Sequence, residues 1–155
     1  MGHTYDLQHE RVKHLDLTQY SLVESGTPVS ETVDKMRAEH RNCALITKNG
    51  KLVGIFTDRD VLHKVVVSPD AWNKPVDEVM TANPFTVTED DQAETALVEM
   101  NTRRFRNVPV VDKDGHVVGN LTHYALIKFY ADQFPEALYN LPPNPNQVSD
   151  SRVGG

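Results

Sequence analysis
Apolar and polar positions along this chain fall into short β-like runs and longer stretches of helical spacing, and the order of these segments occurs twice. Tyr20-Ser21-Leu22-Val23 is the first strand candidate. The turn Ser25-Gly26-Thr27-Pro28 then leads into a helix, with Thr27 as N-cap and Pro28 at the first helical position, where a missing N–H costs nothing. Val29, Val33 and Met36 make one apolar stripe on this helix, and Glu31, Asp34, Lys35 and Glu39 make its solvent face. The helical pattern fades at His40-Arg41-Asn42 and gives way to a strand, Cys43–Thr47. Lys48-Asn49-Gly50-Lys51 reads as a hairpin turn, because Asn-Gly tolerates the positive φ of a tight turn. Leu52–Phe56 is the returning strand and Asp58 to about Val66 a second helix, so the order is β-α-β-β-α.

The second copy is weaker but complete. Phe85-Thr86-Val87 matches Ser21-Leu22-Val23 as a strand, and Met100 matches Met36 at an offset of 64 (100 − 36). Gly119 matches Gly54 at 65 (119 − 54), which places one extra residue between helix and strand near Arg103-Arg104-Phe105-Arg106. Asp114-Gly115 stands where Asn49-Gly50 stood, and Gly119-Asn120-Leu121-Thr122-His123-Tyr124-Ala125 repeats Gly54-Ile55-Phe56-Thr57-Asp58-Arg59-Asp60. Segments that keep their order over so long a stretch identify an internal duplication. The chain divides into an N-terminal extension (1–17), a first repeat (18–67), a linker (68–78) whose Trp72 is expected to pack over the join, a second repeat (79–133) and a proline-rich tail (134–155). Phe134, Tyr139 and Leu141 in that tail suggest that it docks on its own body or on a second subunit.

At 155 residues the chain is long enough for a substantial core, and 39% hydrophobic with 25% charged residues is a globular composition. The single cysteine, Cys43, lies in an apolar run and reads as a buried thiol in a reducing compartment, so the cytoplasm is the expected location. No apolar run approaches the roughly 18 residues of a membrane span, and no signal-peptide pattern opens the chain. A net charge of −6 argues against general affinity for nucleic acid. Any anion site must therefore be local. His3, His9 and His14 are irregularly spaced, without Cys or acidic partners at metal-ligand spacing, and no metal site is expected.

Both repeats end a strand in Thr just where a helix begins, a junction whose free backbone N–H groups suit a polar ligand. Only the first copy adds an acid one turn on, Asp60, where the second has Ala125. Thr-x-x-Asp at a helix start is also the signature of a capping box, so the tetrapeptide alone leaves both readings open.

Two β-α-β-β-α repeats, each closing with Gly-apolar-x-Thr at the last strand–helix junction, together with the Asn107-Val108-Pro109-Val110-Val111-Asp112 strand, resemble a pair of cystathionine-β-synthase (CBS) domains. This is the arrangement called a Bateman module, and the resemblance covers roughly Leu17 to Gln133. It implies an α+β (α/β) fold with two repeats packed about a pseudo-two-fold, a stand-alone regulatory role, and a ligand containing adenosine in clefts between the repeats: AMP, ADP or ATP, with NAD and S-adenosylmethionine as alternatives. It further implies that Thr57 and Asp60 hold ribose, the carboxylate accepting charge-assisted hydrogen bonds from both hydroxyls. Thr122 and Ala125 mark a degenerate second site that cannot clasp a diol. Family geometry points the base toward Thr81, Phe85, Asn107, Val108 and Pro109. Arg41, Arg104 and Arg106, at the two helix-to-strand bends, are the phosphate candidates, because guanidinium matches phosphate oxygens bidentately. Arg59, on the ribose helix, is expected to pair with an acid. The resemblance also implies a homodimer, a four-repeat disc, acting on an unknown effector protein.

Enzymatic function finds no support: the sequence has no nucleophile elbow, no credible Cys-His or Ser-His-Asp set, no Walker loop and no metal quartet. A nucleic-acid adaptor would rest on Arg103–Arg106 and predicts steeply salt-dependent binding. A purely structural dimerisation module predicts no nucleoside affinity and no effect of changing Asp60.

Overall fold
The computed structural model describes residues 9–133, so His3 and the expected docking of the 134–155 tail lie outside the described residues. The first repeat is organised around β2 (Cys43–Lys48), in which five consecutive residues, Cys43 to Thr47, are buried. Such a strand needs a neighbour on each side. β1 (Ser21–Glu24) lies parallel to it and β3 (Lys51–Thr57) antiparallel. The parallel pair requires a crossover, supplied by α1 (Val29–Ala38). Val29 and Met36 of the expected stripe are buried, and so is Thr32, whose hydroxyl is satisfied by donating to the Pro28 carbonyl at 3.0 Å.

Two local expectations change here. Pro28, not Thr27, is the N-cap of α1, and the Thr27 side chain makes no capping bond. The reason is tertiary: the Thr27 carbonyl accepts the Val76 N–H and the Val29 N–H donates to Lys74, so this stretch is held extended against Pro75. At the other end, His40 takes φ 57° and the Arg41 N–H reaches back to the Met36 carbonyl while His40 N–H meets Arg37, a Schellman closure made without glycine.

The second repeat pairs β5 (Asn107–Val111) with β6 (Val117–Thr122), preceded by α3 (Ala93–Arg103) and followed by α4 (His123–Gln133). Of the expected strand Phe85-Thr86-Val87, only Val87 pairs, parallel to Val110, as Val23 pairs with Ile46. Pro84 before it and the turn in which Asp91 accepts the Thr88 N–H after it leave no room for a longer strand. The extra residue also moves. Cys43 faces Thr57 and Asn107 faces Thr122, so the offset is still 64 (107 − 43) at the start of the strand and becomes 65 (122 − 57) only after the turn. The insertion lies in the hairpin, Lys48–Lys51 against Asp112–His116, because the bend at Arg104 (φ 60°) reproduces the His40 geometry with no added residue.

Neither repeat closes its core alone. The first core, around Ile46 and Phe56, is completed by Ala71 and Val76 from the linker and by Val79 just beyond it, the linker forming 3-10 turns at Pro69–Asn73 and Val76–Glu78. Trp72 packs on this core rather than over the join. β4 (Thr81–Ala82) then extends the first sheet to the order β1-β2-β3-β4. The second core, around Met100 and Leu121, takes Val12 and Leu15 from the N-terminal segment, and Thr18 bridges to Asn120. Each sheet is thus covered by the segment that precedes the other repeat. The hairpin turns also meet directly, Lys51 pairing with His116.

Candidate functional site
β3 ends at Thr57 in extended geometry, and the chain turns at once into α2 (Asp58–Asp60), continued by a π-helical stretch, Val61–Val65. Thr57 and Asp60 form a reciprocal capping box: the Asp60 N–H donates to the Thr57 hydroxyl at 3.4 Å and the Thr57 N–H to Asp60 Oδ2 at 2.9 Å. The other carboxylate oxygen lies 3.1 Å from Lys64 Nζ. The capping reading of this tetrapeptide is therefore realised. The Thr57 hydroxyl also lies 3.4 Å from Asp60 Oδ2, so of the roughly four acceptor positions of an ionised carboxylate about one is left over, on the Oδ1 side. In the second repeat the Thr122 hydroxyl accepts the Ala125 N–H at 2.9 Å, and Ala125 is buried in the core with no acid to offer.

Both Thr junctions open onto one continuous cleft of about 1110 Å³ between the repeats, not onto two separate ones. Thr57, Asp60, Thr81, Phe85, Asn107 and Thr122 line it, as do Arg41, Arg104 and Arg106. Val108 and Pro109 do not. Val108 is a fully buried core residue, and Pro109 is buried in the sheet between Asn120 and Val87, its carbonyl accepting the Val87 N–H, so no free backbone edge is left there for a base. Alternation along the strand explains Val108, which faces the core where Asn107 faces the cleft; Pro109 is excluded by its burial between its neighbours in the sheet.

The cleft is locally cationic in an acidic chain. Arg41 is half-buried and donates to Gln19 Oε1 at 3.0 Å. Arg103 is engaged, by Glu99 at 2.8 Å and by the Phe85 ring at 5.6 Å. Arg104 and Arg106 have no ion pair among the described residues. The same holds for Arg59, which lines the cleft instead of pairing with an acid. His40 and Arg104 both hold left-handed backbone at the cleft wall, a conformation that costs non-glycine residues about 1 kcal/mol.

Behind the cleft residues Gln19, Cys43 and Asn107 lies a polar cluster that strand periodicity hid. Asn120, fully buried, sits where repeat one has Ile55. Its Nδ2 lies 3.0 Å from the Gln19 carbonyl, 3.3 Å from Cys43 Sγ and 3.1 Å from Asn107 Oδ1. An asparagine at an inward position of an otherwise apolar strand was the available signal. Burial pushes the Cys43 thiol up to about 12, so it stays protonated and unreactive. Elsewhere, exposed Asp112, Asp114 and His116 bring ligand atoms within 4.8 Å of one another in the β5–β6 turn, but Asp112 already accepts the backbone N–H groups of Asp114 and His116. Among the described residues no helix is long and apolar enough to cross a membrane.

Comparison with known proteins places these features. The family model described as "CBS domain" matches residues 12–67 and again 76–132. The CBS domain-containing protein CBSCBSPB5 of Arabidopsis thaliana is 38% identical over 112 residues, covering 71% of this chain and 20% of its own length. The uncharacterized protein MJ1404 of Methanocaldococcus jannaschii is 32% identical over 107 residues, 68% of this chain and 25% of that protein. The chain therefore spans about a fifth to a quarter of these relatives. Among solved structures, the CBS domain pair of protein MJ0100, in complex with 5′-methylthioadenosine and S-adenosyl-L-methionine, superposes with a TM-score of 0.72 at 26% identity, covering 80% of this chain and 98% of that one.

Proposed function
The chain belongs to the CBS domain family, as a pair of such domains with regulatory rather than catalytic character, and from that premise we propose that its cleft senses a phosphorylated adenosine ligand of the AMP, ADP or ATP class. The observation that carries this reading is the juxtaposition, on one cleft, of the Thr57–Asp60 junction with the guanidinium groups of Arg104, Arg106 and Arg59. In a chain of net charge −6, cations collected at one concavity favour a ligand that brings its own negative charge. The ribose would sit on Asp60, with Thr57 beside it, the base toward Thr81, Phe85 and Asn107, and the phosphates on the arginines. A second reading, S-adenosylmethionine, draws support from the MJ0100 complex. Phosphate-free ligands would leave the arginines unused.

Occupancy can act on an output only if the ligand prefers one arrangement of the repeats over another. The output in this reading passes through a second copy and an effector protein. Exposed Leu62, Val66, Tyr124 and Ile127, on the helical segments that follow the two Thr junctions, support a homodimeric four-repeat disc, which light scattering with and without nucleotide would test. The ligand is tested by calorimetric titration with AMP, ADP, ATP, NAD and S-adenosylmethionine on the wild type and Asp60→Ala. Loss of affinity in the variant is expected. Equal affinity in both proteins would remove the ribose clasp.

A further inference from the structure
We infer that Asn107 presents a fixed hydrogen-bond donor to the base of the ligand, and that its direction is set from the opposite repeat, by the Gln19 carbonyl acting through Asn120. This rests on the adenosine-ligand reading of the cleft and goes beyond it by assigning one contact and the residue that orients it.

The argument begins at an atom with only one chemical option. The Gln19 backbone carbonyl can accept but never donate, so the Asn120 amide atom 3.0 Å from it must be the nitrogen. The contact of the same atom with Cys43 Sγ, at 3.3 Å, fits a sulfur acting as weak acceptor. The amide has two hydrogens; one goes to the Gln19 carbonyl, and the better acceptor for the other is not the sulfur but the Asn107 amide at 3.1 Å, which therefore turns Oδ1 toward it. With Oδ1 turned inward, the NH2 of Asn107 is the half left for the cleft, and it has no partner among the described residues. Asn107 is half-buried on the cleft wall, directly opposite Thr122 in the sheet.

The arrangement is costly to the fold. Asn120 is fully buried, and its own Oδ1 finds no partner among the described residues. Turning the amide over would set its oxygen against the Gln19 carbonyl, two acceptors 3.0 Å apart. Repeat one meets the same pair of positions with Cys43 and Ile55, a thiol and an apolar side chain, so only one end of the cleft carries this donor. A neutral donor at fixed direction selects an acceptor, and adenine offers three on its rings: N1, N3 and N7.

The test uses AMP and its 1-deaza, 3-deaza and 7-deaza analogues, titrated by calorimetry into the wild type, Asn107→Leu and Asn120→Leu. In the wild type one of the three analogues should bind about 3- to 10-fold more weakly than AMP, the range of one neutral hydrogen bond. In Asn107→Leu, AMP should weaken by a similar factor and that analogue should lose no more. Asn120→Leu should abolish the same deaza penalty while leaving the Asn107 side chain in place, with thermal melting to verify folding; if it does not fold, Asn107→Leu carries the test. Three analogues that bind the wild type as AMP does would overturn the inference and leave the nucleotide reading standing. Failure of AMP itself to bind would overturn both.

Discussion

Two glycines at equivalent places in the repeats should respond very differently to a single methyl group. Gly54 and Gly119 each stand three residues before the Thr of their repeat, where the covering segment of the other repeat crosses the sheet. Neither has a left-handed φ, so Ala is compatible with the backbone and only the space around a Cβ decides. At Gly119 a Cβ would lie 2.6 Å from Leu17 Cβ and 3.1 Å from the Leu17 carbonyl oxygen, about 1 Å inside the ordinary carbon–carbon separation. Relief requires moving backbone, and the Leu17 carbonyl is the acceptor for the Asn120 N–H at 2.9 Å. Overpacking costs about 1–3 kcal/mol and the strained hydrogen bond about 1 more, less roughly 0.5 regained from the stiffer unfolded chain, so Gly119→Ala should lose about 1.5–3.5 kcal/mol. At Gly54 the Cβ would overlap Cγ, Sδ and Cε of Met80, all in an unbranched, half-buried side chain that can rotate away. Gly54→Ala should stay within about 1 kcal/mol of the wild type. Urea unfolding followed by Trp72 fluorescence measures both. The double variants sharpen the distinction: Met80→Ala removes every clashing atom and should erase the cost of Gly54→Ala, whereas Leu17→Ala keeps its Cβ and carbonyl and should leave the cost of Gly119→Ala largely intact. Equal losses for the two glycines, or full rescue by Leu17→Ala, would refute the reasoning.

Two further outcomes concern titration. Asp77 is partly desolvated, which raises its pKa, but the Ser25 hydroxyl and the Gly26 N–H on its carboxylate outweigh this and hold it below its ordinary value of 3.8. A depressed folded-state pKa means that the stabilisation is present above the unfolded value and lost as pH falls through the folded one, so acid unfolding of Asp77→Asn should be less steep below about pH 4 than that of the wild type. Ser25→Ala should cost about 1 kcal/mol at neutral pH, at the low end for a charged acceptor because Asp77 is partly exposed, as read by urea midpoints. Cys43 is the opposite case. Its folded pKa of about 12 lies above the ordinary 9.0, so the unfolded chain loses its proton first and stability should fall as pH rises between these values. Cys43→Ala should flatten that slope, and a thiol reagent should modify the native wild type at pH 8 only as fast as the protein opens; rapid modification would contradict the burial.

Much of this molecule was legible in one dimension because its signals are local. The repeat, the Asn-Gly turn, and the contrast between Asp60 and Ala125 need no knowledge of what lies across the core, and they sufficed for the fold and for which Thr junction carries an acid. The same local reading misassigned the start of α1, since Pro28 caps that helix only because Thr27 and Val29 are tied to the linker. The family resemblance, for its part, pointed the base toward Val108 and Pro109, but alternation turns Val108 into the core and the β6 and Val87 neighbours bury Pro109.

Periodicity and turn chemistry by themselves determined that two β-α-β-β-α units would form and which of them would carry the acid. Tertiary structure alone decided that Val12 and Leu15 close the second core and Val76 and Val79 the first, that both Thr junctions share one cleft, and that Asn120 joins Gln19 and Cys43 to Asn107. The physical reason is that a residue's spacing reports which face it shares, whereas the partner met by that face depends on long-range packing, to which every segment of the chain contributes at once.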